Sequence, residues 1–176
     1  MPRGPNLLSR TPAAQGVFDI IVEDGFVLTE LAGIVDVLRL ANRVTQNESF
    51  SWTYRSMNGG QRSSSSDAGV ETEGLPDRPT ADYAFVLGNA EFAALEMPMR
   101  HVLKAYSGRA TRLFLLAEAA AYYMHRHGKG SAHTTHWENR LALSEEVDAS
   151  DWGDQLASDH EGVTTCAGMG DRKTHV

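Results

Sequence analysis

The chain has 176 residues, 41% hydrophobic and 22% charged, the size and balance of one soluble globular domain able to bury a core. Its formal net charge of -7 and pI near 5.4 argue against direct DNA binding by these residues, since holding a polyphosphate backbone takes clustered Lys and Arg. The lone cysteine, Cys166, rules out an intrachain disulfide, and no apolar run approaches the ~20 residues that span a bilayer, so a reducing cytoplasm is the expected setting.

Residues 1–16 carry Pro, Arg and Ser without a hydrophobic segment and read as a flexible leader. The domain is expected over 17–168, opening with the β-branched run Val17 to Val22, a buried strand closed by the turn Asp24-Gly25. From Leu28 to Val44 the spacing Leu28, Leu31, Val35, Leu38, Ala41 predicts a helix. Ile34, Val37 and Leu40 widen its stripe enough for a sheet on one side and a second subunit on the other. Phe50 to Met57 alternates as a strand ending at Asn58-Gly59-Gly60, and Gln61 to Pro79 is polar and predicts a surface loop. Tyr83 to Leu87 is a third strand, ended by Gly88-Asn89. Ala93 to Tyr106 reads as a helix interrupted near Pro98, and Arg112 to Leu116 as a fourth strand. Ala117 to His127 is helical until Gly128 and Gly130, Asn139 to Glu146 is a further short helix, and Val163 to Cys166 is a last strand. Strands alternating with helices predict right-handed crossovers and a mainly parallel sheet covered on both faces. The expected fold is therefore an α/β three-layer α/β/α sandwich with its ligand crevice at the carboxyl ends of the strands.

Several stretches, in order, resemble one family. Gly25-Phe26, Leu31-Ala32 and Val37-Leu38-Arg39-Leu40-Ala41-Asn42 are similar to the first helix of the GlxA-like AraC regulators. The amino-terminal domain of those proteins belongs to the PfpI branch of the class I glutamine amidotransferase-like, flavodoxin-like fold. Asn58-Gly59-Gly60, Asp82 to Gly88, Thr134-Thr135-His136-Trp137-Glu138 and Thr165-Cys166-Ala167-Gly168 resemble the same family, with Thr-His-Trp-Glu the most specific. Enzymes of the superfamily keep a cysteine at a strained strand-to-helix bend, and the regulators often show Gly-x-Cys-Thr-Gly there. Counting back from Thr135-His136-Trp137 without gaps puts the cysteine position at Leu116 and the Thr-Gly at Ala117-Glu118. Matching Phe114 to Ala119 to a leucine-alanine-glutamate segment of the family puts it at Ala110 instead. In both alignments the nucleophile is gone.

The resemblance makes Glu30, in the first turn of the first helix, a hydrogen-bond acceptor lining the cavity; the plain alternative is an acid placed by the helix dipole. His136 matches the family histidine near the bend, which acts as a base only beside a thiol or hydroxyl. Without one it is a structural residue or a ligand contact, and Trp137 is a packing anchor. A small-molecule site is expected around Glu30, Asn89, Leu116, Ala117 and His136. His125, His127, His133 and His136 lack the spacing of a metal site, and the sequence calls for no metal and no cofactor. Cys166 reads as a small hydrophobe whose thiol pKa is raised by its surroundings. The acids Glu145, Glu146, Asp148, Asp151 and Asp154 read as a solvated face.

Residues 169–176 form a polar tail where the family continues with a packing helix and a helix-turn-helix domain. A shortened gene product, a frame change or a natural stand-alone domain would all end this way, and a bare sheet face would favour homodimers. The sequence thus predicts a non-catalytic sensing or dimerisation domain of an AraC-type regulator, with DNA reached only through a helix-turn-helix domain that this chain lacks. The alternative is a PfpI-type cysteine hydrolase or lyase acting on a small amide or isonitrile through Cys166 or a serine.

Overall fold

The computed structural model describes residues 16–46, 49–89, 95–127, 134–135 and 156–168. In chain order the elements are β1 (Gly16–Ile21), α1 (Leu28–Thr45), β2 (Phe50–Ser56), β3 (Asn58–Ser63), β4 (Gly69–Gly74), β5 (Tyr83–Val86), α2 (Glu96–Tyr106), β6 (Arg112–Leu116), α3 (Ala117–His127), β7 (Ala157–His160) and β8 (Val163–Cys166). They build an eight-stranded mixed sheet in the order β3-β4-β2-β1-β5-β6-β8-β7. The inner strands run parallel, while β3 against β4 and β7 against β8 are antiparallel hairpins at the two edges.

Successive residues of a strand face opposite sides of a sheet, and the core divides accordingly. Ile21, Ala84, Val86, Leu113 and Leu115 pack with α2 and α3 through Met99, Val102, Ala119 and Tyr122. Ile20, Val22 and Leu87 point the other way and pack with Phe26 and Leu31 near the start of α1. Helices on both faces favour apolar central strands, which is why β1, β5 and β6 are mostly hydrophobic, with the buried Asp19 the exception inside β1. Phe18, Phe85 and Phe114 cross the sheet as a ladder of stacked rings, Phe85 and Phe114 with centroids 4.7 Å apart.

The three-layer α/β expectation is met, with three corrections. Residues 61–79 are not a plain loop, because β3 and β4 form a hairpin joined to β2 by parallel pairing. The turn glycines Gly59 and Gly60 lie inside β3. Pro98 does not interrupt α2. It stands in the first turn, where its missing N–H is one the helix cannot use in any case. The strand β7 was not anticipated at all. His133, His136, Trp137 and the helix expected over 139–146 lie outside the described residues.

Candidate functional site

The carboxyl ends of β1, β5, β6 and β8 meet at one edge, and β6 turns into α3 there with no connecting loop. Leu116 is the last residue of the strand and Ala117 the first of the helix. Ala117 has φ +43°, a left-handed conformation that costs a residue with a Cβ about 1–2 kcal/mol. The surroundings hold it: Ala117 is buried, and the Thr135 hydroxyl donates to its carbonyl at 2.6 Å. The strained bend is therefore Ala117 and not Leu116 or Ala110, one residue beyond the gapless count. Leu116 faces Cys166 across the β6–β8 ladder and is buried strand apolar surface.

Glu30 reaches this bend from the first turn of α1 and is 2% exposed. Its Oε2 accepts the Gly88 N–H at 2.7 Å. Its Oε1 would lie 2.7 Å from a Cβ placed on Gly168, and the Ala117 methyl 3.0 Å from it. A Cβ on Gly88 would overlap the Glu118 carboxylate and stand 2.9 Å from the Ala117 methyl. Both glycines are thus sterically required where the Glu30 carboxylate is wedged. Gly168→Ala combines this overlap with φ +88°, so a loss of about 2–4 kcal/mol is expected in urea unfolding. Gly60→Ala is the control: its φ is +85° but nothing stands within 4 Å, so only the conformational cost of about 1–2 kcal/mol applies.

Asn89, 1% exposed, is a clamp. Its Nδ2 donates to the Asp24 carbonyl at 2.7 Å, which ties the β1–α1 turn to the end of β5. Its main-chain N–H donates to Glu118 Oε2 at 3.1 Å, and the adjacent Gly88 carbonyl accepts from the Val27 N–H. Cys166, half-buried at the end of β8, stands by the same edge. Burial, and then the charge of Glu30, push its thiol up to about 11.

Of the expected site residues, Glu30, Asn89, Leu116 and Ala117 gather at this edge, and His136 lies outside the described residues. His125 and His127 are exposed in the last turn of α3, at the other end of that helix. Among the described residues no group of three or more His, Cys, Asp or Glu is placed to hold a metal ion. Glu118, Gly88, Gly168 and Thr135 are the members sequence reasoning missed. Their one signal was position, each sitting at or just after a strand end or in the Thr-Thr motif.

No family model matches this chain, and no curated protein matches it. Solved structures do match. A DJ-1 superfamily protein from Agrobacterium tumefaciens superimposes with TM-score 0.66 at 18% identity, covering 87% of this chain and 82% of that one. The fold is thus shared with solved DJ-1 and ThiJ/PfpI proteins. A ThiJ/PfpI family protein from Pseudomonas syringae gives TM-score 0.65 at 15% identity, covering 96% of this chain and 69% of that one. An AraC family transcriptional regulator from Pseudomonas putida gives 0.65 at 19% identity, covering 86% and 83%. In an open parallel α/β sheet the loops after the strands line the crevice outside their carboxyl ends, where Glu30, Gly88, Ala117 and Gly168 meet. Among the described residues no helix is long and apolar enough to cross a membrane.

Proposed function

We propose that this chain is a non-catalytic regulatory domain: a cytoplasmic amidotransferase-like domain of GlxA-type kinship that senses a small ligand at the carboxyl edge of its sheet. In this reading it biases a DNA-reading helix-turn-helix domain joined to it. The observation that carries the reading is Ala117. A strained strand-to-helix bend is where this architecture presents a nucleophile, and a methyl group there has no lone pair to attack with. The bend is strained but carries no attacking group, which fits a site that holds rather than transforms. The AraC family regulator from Pseudomonas putida has the same fold at 19% identity, which supports the direction of the proposal.

Assembly as a homodimer belongs to the same proposal. On α1, Val37, Leu40 and Val44 are 66%, 46% and 81% exposed and recur at one-turn spacing, so they form an apolar stripe that a second copy would cover.

The second reading, a cysteine hydrolase or lyase, rests on Cys166 being placed across the ladder from Leu116. Its raised pKa argues against it, since the thiolate is the nucleophile.

A thermal-shift panel of small amides, amino acids and other nitrogenous metabolites tests the proposal. A ligand at about 100 times its Kd adds about 2.7 kcal/mol to the unfolding free energy. At least one compound is expected to raise Tm without being consumed. A panel with no response leaves only a dimerisation module, and consumption of an amide or isonitrile favours the enzyme.

A further inference from the structure

We propose that a hollow between α2 and α3 is a second binding site, separate from the carboxyl edge of the sheet, and that it takes a small phosphate monoester. The hollow has a volume of about 410 Å³ and is lined by Arg100 and Leu103 from α2 and by Tyr122, Arg126 and His127 from α3. That volume is in the range of ligand pockets. Arg100 with Leu103, and Tyr122 with Arg126, are spaced so that each helix turns a cation and an apolar group to the same side. No carboxylate is among the lining residues.

The two guanidinium groups differ in why they are there. Arg126 and His127 lie in the last turn of α3, where the helix dipole favours cations for purely local reasons. Arg126 is also held in place: its Nη2 meets Glu96 Oε1 at 3.1 Å, and its guanidinium carbon lies 5.1 Å from the centre of the Tyr122 ring. With one edge on Glu96, it keeps further N–H groups for a ligand. Arg100 has no such local reason. It stands in the middle of α2, exposed, and has no acid partner among the described residues. It also lines a second hollow, of about 320 Å³, with His101 and Lys104 of the same helix. In a chain of net charge -7, this face of α2 and α3 reverses the sign locally.

Guanidinium forks match the oxygens of a phosphate and bind it through charge-assisted hydrogen bonds. A phosphate can answer forks from both helices at once, while Leu103 and Tyr122 offer an apolar wall to the carbon body of an ester. A carboxylate carries less charge and fills one fork, so it binds less tightly. A nucleic acid needs cations clustered along many phosphates, and the acidic remainder of this chain opposes it. The ligand is therefore a small free molecule.

Phenyl phosphate is the probe, titrated at constant ionic strength and followed by calorimetry and by amide resonances, against the parent, Arg100→Gln, Arg126→Gln and Arg39→Gln. Arg39 is an exposed arginine of α1, so its variant makes the same change in net charge without touching the hollow. The parent and Arg39→Gln are expected to bind saturably and equally, with amide shifts centred on Arg100, Leu103 and Tyr122. Arg100→Gln and Arg126→Gln are expected to bind about tenfold or more weakly. Benzoate is expected to bind the parent about tenfold or more weakly than phenyl phosphate. Equal affinity in all four proteins, equal affinity for benzoate, or shifts centred on Gly88 and Ala117 overturns the inference. Arg100-dependent binding of a DNA duplex that is tighter than that of phenyl phosphate overturns it too, by making the ligand a nucleic acid. If Arg126→Gln does not fold, Arg100→Gln decides alone, since its side chain has no ion pair to lose.

Discussion

Asp19→Ala is expected to lower the unfolding free energy by about 3–5 kcal/mol, the usual cost of leaving one partner of a buried pair behind. Asp19 is in the middle of β1, 3% exposed. It accepts from Arg55 Nε at 2.9 Å and from the Tyr106 hydroxyl at 2.8 Å, so it joins β1, β2 and α2. Truncation strands the phenol of a fully buried tyrosine and leaves the guanidinium with Glu73, whose side chain is 71% exposed. Replacing all three together, with Asp19→Leu, Arg55→Met and Tyr106→Phe, is expected to recover most of the loss, since buried ion pairs contribute little net stability over apolar groups of similar volume. Urea unfolding checks both, and a loss below about 1 kcal/mol for Asp19→Ala would show that the trio does not tie the layers together.

The same trio sets an alkaline limit. Burial first, then the hydrogen bond to Asp19 and after it the negative charge of Asp19, hold the Tyr106 phenol well above its ordinary range. A group whose folded pKa is raised contributes stability that is fully present below its unfolded value, about 10 for tyrosine. That contribution is lost as pH climbs beyond it.

How far the sequence could be read depended on what stabilises each element. The strands β1, β5, β6 and β8 were legible because a parallel strand covered on both faces is dominated by apolar and β-branched residues, and their short runs stop at turn signals. The helices α1 and α3 were legible from spacing and from the glycines that follow α3. The hairpin β3–β4 and the strand β7 were not. Their sequences, Asn58 to Ser63, Gly69 to Gly74 and Ala157 to His160, are polar, glycine-bearing or both, and lie mostly exposed at the sheet edges. They are strands because a neighbour offers a ladder, and no local pattern encodes that.

The site was legible in outline only. Glu30 could be placed in the first turn of a helix and Asn89 at a strand end, but the bend was set one residue early. Leu116 continues the apolar run of β6, and nothing in an alanine announces a positive φ. The contacts that complete the site join residues far apart in sequence: Glu118 to Asn89, Thr135 to Ala117 and Glu30 to Gly88. Gly88 could be seen as a strand-ending residue and Gly168 as the end of a family-like motif, whereas their steric role depends on where the Glu30 and Glu118 carboxylates come to lie.

The central claim, that this edge holds no working nucleophile, is tested most directly by alkylating the folded protein with iodoacetamide across a pH series. Intact mass and peptide mapping locate the label. Cys166, with its thiol raised to about 11, is expected to react on the order of 100-fold more slowly than an unperturbed cysteine at about pH 8. Its rate should still be climbing past about pH 10, and no other side chain near Ala117 should be labelled. Rapid labelling of Cys166 at about pH 7 with a rate that levels off near neutrality, accompanied by consumption of a small amide or isonitrile, would contradict the account.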